Sequence, residues 1–323
     1  MCPRSQPSCS VVIRAYNEEK WLGRLLEGIA HQTVKQVEVI LVDSGSTDRT
    51  VEIAKSYGAQ IVRIEPQEFT FGRSLNRGIA RATYECVVIA SAHVYPVYPD
   101  WLERLLAPFG DERIALSYGK QRGNEYSYFS ERQIFFQWYG EATNLRQDHP
   151  FCNNANAAIR RSLWQQHPYD ETLSGLEDIA WAKWAIEQGY SIAYVAEAEI
   201  IHVHQETPRA VYNRYRREAM AFKRLFPQET FTLKDFLRLT SSNLLADLWH
   251  AYQSKQLKQH WKDIFWFRVM QFWGTYRGYR QAGPLTWQLR QTFYYPRRFI
   301  GDRVPTPNRN VEPIRYNDHL DLQ

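Results

Sequence analysis

Val37-Glu-Val-Ile-Leu-Val-Asp-Ser-Gly-Ser-Thr-Asp-Arg-Thr50 is the stretch around which the rest of the chain is organised. Its apolar, β-branched run from Val37 to Val42 predicts a buried parallel strand, and the small polar residues that follow predict a helix starting near Asp48. Asp43 then stands at the carboxyl end of the strand, on the edge of an open α/β sheet where ligands bind. A carboxylate there accepts hydrogen bonds from a ribose hydroxyl or a base N–H. The competing role for Asp43 and Ser44 is to cap the next helix.

Outward from this unit the chain alternates strands and helices. Ser10 to Ala15 is a short apolar strand, and Trp21, Leu22, Leu25, Leu26 and Ile29 recur on one helical face behind Asn17 and Glu18. No Gly-x-Gly-x-x-Gly joins the two, which argues against a dinucleotide-binding dehydrogenase. A third strand is expected over Ala59 to Ile64. A helix follows from Phe69-Thr-Phe-Gly-Arg-Ser-Leu-Asn-Arg-Gly, with Arg73, Asn76 and Arg77 in its first turns, where unpaired N–H groups and guanidinium forks suit an anion. Tyr84 to Ala90 is another buried strand, ending in Ser91-Ala92-His93, and a helix is expected over Pro99 to Phe109.

Further on, Asn153, Asn154 and Asn156 precede the strand that leads to Arg160-Arg161. Amide side chains suit sugar hydroxyls and turns alike. Glu177 to Glu187 reads as a helix ended by Gly189, so Glu177 and Asp178 fall on its first turn, where the anion is stabilised and ready to accept a proton.

Composition sets the outer bounds. With 323 residues, 44% of them hydrophobic and 11 Trp, the chain can bury one sizeable α/β core and carry an appendage. No apolar run approaches the roughly 20 residues needed to span a bilayer, and the first residues lack a signal-peptide core, so the expectation is a cytoplasmic protein. Cys2, Cys9, Cys86 and Cys152 lack metal-type spacing and are expected to be reduced. The net charge of +5 is unevenly spread: residues 207–323 hold 20 Lys+Arg against 9 Asp+Glu, or +11, leaving 20 against 26, or −6, for residues 1–206. A basic C-terminal third suits an anionic partner. Nucleic acid is disfavoured, because no RNP, zinc-finger or helix-turn-helix signature accompanies the basic residues.

Taken together and in order, several motifs carry a resemblance. Ser-Val-Val-Ile-Arg-Ala-Tyr-Asn-Glu-Glu, Val-Asp-Ser-Gly-Ser-Thr-Asp, Arg-Ser-Leu-Asn-Arg-Gly, Pro96-x-x-Pro-Asp-Trp-Leu, Phe151-Cys-Asn-Asn-Ala-Asn-Ala-Ala-Ile-Arg-Arg-Ser-Leu-Trp, Leu176-Glu-Asp-Ile-Ala-Trp-Ala and Ile201-His-Val-His resemble the family 2 glycosyltransferases of GT-A fold. Within that family the chain most resembles bacterial rhamnosyltransferase-like enzymes of surface polysaccharide assembly. The resemblance covers about residues 8–225. It implies an α/β fold, a Rossmann-like GT-A αβα sandwich on a mostly parallel central sheet, with a C-terminal helical extension. The expected divisions are 8–226 for the transferase domain, 227–300 for a helical, basic and aromatic-rich region, and 301–323 for an extended tail.

The implied activity is inverting transfer of a sugar from a nucleotide-sugar donor, dTDP-rhamnose or a UDP-sugar, to a glycan or lipid-linked acceptor. A catalytically inactive, nucleotide-sugar-binding scaffold is the alternative. By resemblance, Ala15, Tyr16 and Glu18 hold the nucleobase, Asp43 bonds base or ribose, and Arg73 and Asn76 lie beside the nucleotide. Ser44, Ser91, Ala92, His93, Asn154 and Asn156 complete the expected donor site. Asp178 matches the catalytic base, Glu177 its acceptor-orienting neighbour, and His202 and His204 the histidine pair near the diphosphate.

One departure bears on the metal. The family usually carries Asp-x-Asp where this chain has Ser91-Ala92-His93, so both acidic positions are absent. The departing diphosphate still gains charge as the glycosidic bond breaks and must be neutralised by a metal or by fixed donors. His93, His202 and His204 are the expected ligands of a divalent cation, Mn²⁺ or Mg²⁺, while a His93 bonded to phosphate or backbone is the alternative.

Beyond the histidines, Pro208 to Phe226 reads as a basic helix, and Leu233 to Arg298 as helices broken near Ser254 and Gly283. Leu257, Trp261, Ile264, Phe265, Phe272, Trp273 and Tyr276 fall close to one stripe with Lys258, Lys262, Arg277 and Arg280 at its flanks, which predicts a helix lying on the inner membrane surface, or alternatively one packed on the catalytic domain or a second subunit.

Overall fold

The computed structural model describes residues 7–281 and 311–316. In chain order its elements are β1 Ser8–Ala15, α1 Glu19–Ala30, β2 Gln36–Asp43, α2 Thr50–Ser56, β3 Gln60–Arg63, α3 Phe71–Ile79, β4 Cys86–Ser91, β5 Val94–Pro96, α4 Trp101–Leu106, β6 Ile114–Arg122, α5 Phe129–Trp138, β7 Asn144–Gln147, β8 Asn156–Arg160, α6 Arg161–Gln166, α7 Glu177–Glu187, β9 Ser191–His202, α8 Pro208–Leu225, α9 Leu233–Gln253 and α10 Leu257–Arg280. Short 3-10 turns follow β3 and α4.

The strands form one sheet in the order β3-β2-β1-β4-β8-β6-β9-β5, with β7 paired to β9. β1, β2, β3 and β4 are mutually parallel, β8 runs against them, and β6 and β9 return to the first direction, so most strands point one way, as expected. The chain leaves β1 towards β2 and β3, then crosses back to place β4 on the other side of β1. That reversal opens a crevice at the carboxyl ends of β1 and β4.

Side chains alternate across the pleat into two cores. On one face Val11, Ile13, Leu41, Val88 and Ala90 meet Leu22, Leu25 and Leu26 of α1 and Trp101, Leu102 and Leu105 of α4. On the other, Val12, Ile40, Val42, Val87 and Ile89 meet Leu75 and Ile79 of α3 and Trp181, Ala182 and Ala185 of α7. This is the expected αβα sandwich. Each fully buried leucine contributes roughly 1.5–3 kcal/mol, so the layers, more than helix propensity, fix α1 and α3. The described cysteines Cys9, Cys86 and Cys152 are all buried.

Residues 110–150 carry no clean sequence period, yet they supply β6, buried along its whole length, and α5. The helix expected near Asp48 starts at Thr50, because the Asp48 carboxylate accepts from the Thr50 amide at 3.0 Å and so caps from outside.

The C-terminal helices lie against the sandwich side. α10 runs along α8, with Phe267 packed on Val211 and Tyr215. A Cβ on Gly274 or Gly278 would come within 2.4 Å of the Tyr212 or Arg216 carbonyl oxygen, so the two helices touch backbone to backbone. The single stripe expected on α10 is divided. Ile264 is fully buried against Phe129 and Ala251, whereas Trp261 and Phe265 point outward and Trp273 packs on Phe236. α10 is apolar on several sides, and α5, α8 and α9 each claim one. A larger set of outward apolar side chains lies on α9, where Leu233, Leu237, Leu245, Trp249 and Tyr252 are, like Trp261 and Phe265, all more than half exposed. No helix among the described residues is long and apolar enough to cross a membrane.

The expected break near Gly283 and the helix to Arg298 lie outside the described residues. Of the expected tail, residues 311–316 form no helix or strand but are tied down: the Ile314 amide donates to the Val97 carbonyl at 3.0 Å and the Tyr316 hydroxyl to that of Pro96.

Candidate active site

Three loops meet at the crevice. Asn17, at φ 54°, accepts the Thr47 amide at 2.8 Å, while its own amide donates to the Ser46 hydroxyl at 2.9 Å and that of Glu18 to the Thr50 hydroxyl at 2.7 Å. Ser44 donates through both its amide and its hydroxyl to the Ala15 carbonyl. Asp43 is buried and its carboxylate accepts the Gly45 and Ser46 amides, each at 3.2 Å, with Gly45 at φ 90°. Ala15, Asp43 and Ser44 therefore lock the β1 and β2 loops to one another. Tyr16 is half-buried at the mouth of the same crevice.

The α3 residues divide. Arg73 is bonded through Nε to Glu171 at 2.6 Å and through a terminal nitrogen to the Glu68 carbonyl at 3.0 Å. Asn76 donates to the Tyr169 carbonyl and to Glu171, and accepts from the Trp164 indole and the Tyr169 amide. Both donors and both acceptor positions of that amide are used, so Asn76 clasps residues 164–171 to α3 and has nothing left for a nucleotide.

The asparagines divide as well. Asn153 forms the turn, accepting the Ala155 amide at 2.9 Å. Asn156 is fully buried, donates to the Lys120 and Ala198 carbonyls, and accepts the Trp101 indole at 2.9 Å. It is a core residue and not a sugar contact, because a side chain inside the sheet meets no solvent-borne ligand. Asn154 alone reaches the acidic pair. Its backbone amide donates to Asp178 Oδ2 at 3.0 Å and its side chain to Glu177 at 3.3 Å.

Asp178 sits on the first turn of α7, behind Leu176 held at φ 58°, a left-handed conformation costing of order 1–3 kcal/mol for a branched residue. Burial, and then the adjacent Glu177 carboxylate, raise its carboxyl to about 7, against the opposing pull of the Asn154 and Ile179 amides and Arg14. Glu177 meets Arg14 at 3.5 Å. Arg14 and Arg217 both stack on the Phe71 ring, at 4.6 and 4.7 Å. Leu176 and Ile179 also line an apolar cavity of about 570 Å³ with Trp138, Phe151, Tyr215 and Phe222.

The histidines converge. β5 pairs with β9 so that Val94 lies opposite His202, and the Val203 amide donates to the His93 carbonyl at 3.1 Å. His93, in the turn after β4, is thereby stacked on His202 with centroids 5.1 Å apart, and His204 lies 4.1 Å from His202. One ring nitrogen from each falls within 4.8 Å of the others. Each Nδ1 meets a side-chain oxygen: Glu18 at 3.1 Å, Gln121 at 2.7 Å and Glu131 at 2.8 Å for His93, His202 and His204 respectively. Glu18, expected beside the base, is thus a support for His93. His202 Nε2 is buried without a partner among the described residues, and burial with the two neighbouring imidazoles keeps this ring neutral. A set of converging ring nitrogens, each backed by a side-chain oxygen, fits a divalent cation.

Sequence reasoning missed Arg14, Gln121, Glu131 and Arg214. Arg14 is hidden inside an apolar strand run, and Gln121 and Glu131 lie in the stretch without a period. Burial would raise the Glu131 carboxyl, but His204 and Arg214 beside it hold it below the usual carboxylate range.

The family model for glycosyl transferase family 2 matches residues 10–167. Among characterised proteins, the O-antigen chain rhamnosyltransferase WbaN of Salmonella anatum is 30% identical over 224 residues, 65% of this chain and 70% of the relative. The O-antigen chain rhamnosyltransferase RfbN of Salmonella typhimurium is 27% identical, over 64% and 69%. Among solved structures, the mannosyltransferase PcManGT of Pyrobaculum calidifontis, in complex with GDP-Man and Mn²⁺, superposes with TM-score 0.57 at 16% identity over 84% of this chain and 86% of that one. Glucosyl-3-phosphoglycerate synthase of Mycobacterium tuberculosis, in complex with Mn²⁺, UDP and glucosyl-3-phosphoglycerate, gives 0.52 at 21% identity over 69% and 81%.

Proposed function

The chain belongs to glycosyl transferase family 2, and on that premise we propose that it is an inverting transferase moving a sugar from a nucleotide-sugar donor, dTDP-rhamnose or a UDP-sugar, to a lipid-linked glycan in polysaccharide assembly. The rhamnosyltransferase relatives support the donor class. The observation that carries the mechanism is Asp178: a buried carboxylate raised to about 7, on a helix N-terminus, beside an apolar cavity.

Inversion needs an acceptor hydroxyl to attack the anomeric carbon opposite the diphosphate while its proton is being removed. Asp178 takes that proton, and Glu177, anchored by Arg14 and Asn154, orients the hydroxyl. Asp43, Ser44, Tyr16 and Ala15 frame the nucleoside side of the crevice, with Ser91 and Ala92 beneath it and Arg73 at its rim. His93, His202 and His204 would hold a divalent cation, which when bound supplies Lewis-acid neutralisation of the leaving diphosphate. The cavity walled by Trp138, Phe151, Tyr215 and Phe222 suits the apolar part of a lipid-linked acceptor.

The outward face of α9 favours attachment to the inner membrane surface. Its apolar stripe is accompanied by Lys234 and Arg238, with Lys255, Lys258 and Lys262 beyond its C-terminus. Self-association through the same face would set these cations against each other, whereas anionic lipid would attract them.

The test is thermal-shift screening of nucleotide sugars followed by turnover with the best binder. A donor at about 100 times its dissociation constant adds roughly 2.7 kcal/mol. Absence of any nucleotide-dependent shift would overturn the reading.

A further inference from the structure

We propose that His93, His202 and His204 form a resident transition-metal site that fills without nucleotide and selects a borderline cation of the Mn²⁺ to Zn²⁺ series over Mg²⁺. The inference rests on the trio's role above and deepens it by naming the cation class and the order of binding.

The argument begins with the tautomer. Carboxylate oxygens of Glu18 and Glu131 only accept, so the Nδ1 atoms of His93 and His204 donate to them and each Nε2 is the nitrogen left for a metal. His202 follows the same pattern against the Gln121 oxygen. The three Nε2 atoms are the ones a metal would use, and the Nδ1 partners fix each ring's orientation before any ion arrives. The unpartnered, buried Nε2 of His202 is otherwise left unsatisfied.

Size agrees. Two nitrogens on a tetrahedral ion at ~2.0–2.1 Å lie roughly 3.3 Å apart, so nitrogens already within 4.8 Å need side-chain movements of about an ångström. Charge agrees too. Glu18 and Glu131 stand behind the His93 and His204 rings, and Arg214 pins Glu131 at 2.8 Å. Three imidazoles disfavour Mg²⁺, which prefers oxygen shells. Because three ligands come from the protein, retention needs no phosphate oxygen, and the remaining positions stay open to the diphosphate.

The experiment uses the untagged full chain, stripped with EDTA and titrated with Co²⁺ in the absence of nucleotide. The expected result is one equivalent of Co²⁺, a visible ligand-field spectrum displaced by Zn²⁺ and untouched by excess Mg²⁺. Binding should disappear in His93→Ala and weaken 10- to 100-fold in Glu131→Gln. Should Glu131→Gln fail to fold, Glu18→Gln, on the more exposed His93, gives the same readout. Co²⁺ uptake only after UDP or dTDP is added, or a spectrum unchanged in His93→Ala, would overturn the proposal. A chain that binds Co²⁺ but transfers no sugar contradicts the transferase mechanism alone, and one that transfers sugar but takes up no Co²⁺ contradicts this inference alone.

Discussion

The backbone amide of Asn154 points at Asp178 Oδ2 from 3.0 Å, so the turn that leads into β8 holds the base of α7 in place. The other oxygen, Oδ1, accepts the Ile179 amide at 2.8 Å, and since a carboxylate oxygen has two lone pairs each still has one to offer an acceptor hydroxyl. Asp178→Asn keeps the size of the side chain but cannot take a proton. Turnover should fall by about a hundredfold or more while donor affinity is retained. Steady-state kinetics beside nucleotide-sugar calorimetry check this, and near-normal turnover would move the base to Glu177.

With its carboxyl raised to about 7, Asp178 should give kcat/KM an ascending limb near neutral pH, since only the anion accepts a proton. Glu177→Gln removes the charge that opposes ionisation, so the limb should move to lower pH. The same raised value works against folding as the group ionises. The native state binds the extra proton between about 4 and 7, so this group's contribution to stability is present below its unfolded value and is lost as pH rises through about 7. Urea unfolding across that interval should show Asp178→Asn losing part of the decline.

EDTA should abolish transfer, and Mn²⁺ should restore it at lower concentration than Mg²⁺, because nitrogen ligands favour the former. Full turnover in excess EDTA would leave Arg and amide groups as the stabilisers of the leaving diphosphate.

Asn156→Ala separates a core role from a sugar contact. Removing an amide that serves the Lys120 and Ala198 carbonyls and the Trp101 indole leaves buried groups unpaired, at about 1–3 kcal/mol each. A lowered urea midpoint with KM for the donor unchanged is the expected pattern. A raised KM at unchanged stability would return Asn156 to the donor site.

The α9 face should bind anionic vesicles. Leu245→Glu with Trp249→Glu removes apolar contact and adds negative charge at exposed positions, so flotation should be lost while turnover on a water-soluble acceptor analogue is kept. Wild-type protein that never floats on vesicles rich in phosphatidylglycerol would sink the membrane assignment.

The sandwich was legible because β1, β2 and β4 are apolar runs and α1 carries a one-sided period. Glu177-Asp178 and the histidines stood out as motifs, and the fold brings the three histidines together. What the motifs did not reveal was which polar residues face inward. Asn154 and Asn156 differ by two positions on one strand approach, yet one touches the acidic pair and the other is fixed inside the core by carbonyls some 40 residues away in either direction. Periodicity carries no information about such partners. The same holds for α10, where several apolar sides look like one stripe until α5, α8 and α9 are packed on it.

Val94 lies opposite His202, and that single register has a consequence for how the protein is made. During synthesis the turn bearing His93 leaves the ribosome long before β9 exists to receive it, and β5 has no other strand to pair with among the described residues. The histidine cluster therefore closes only after the loop entropy of the whole intervening segment has been met, which makes it a late event on the folding path. A nascent chain released or cleaved before β9 would carry Asp43 and the β1–β4 sheet with His93 alone of the three histidines.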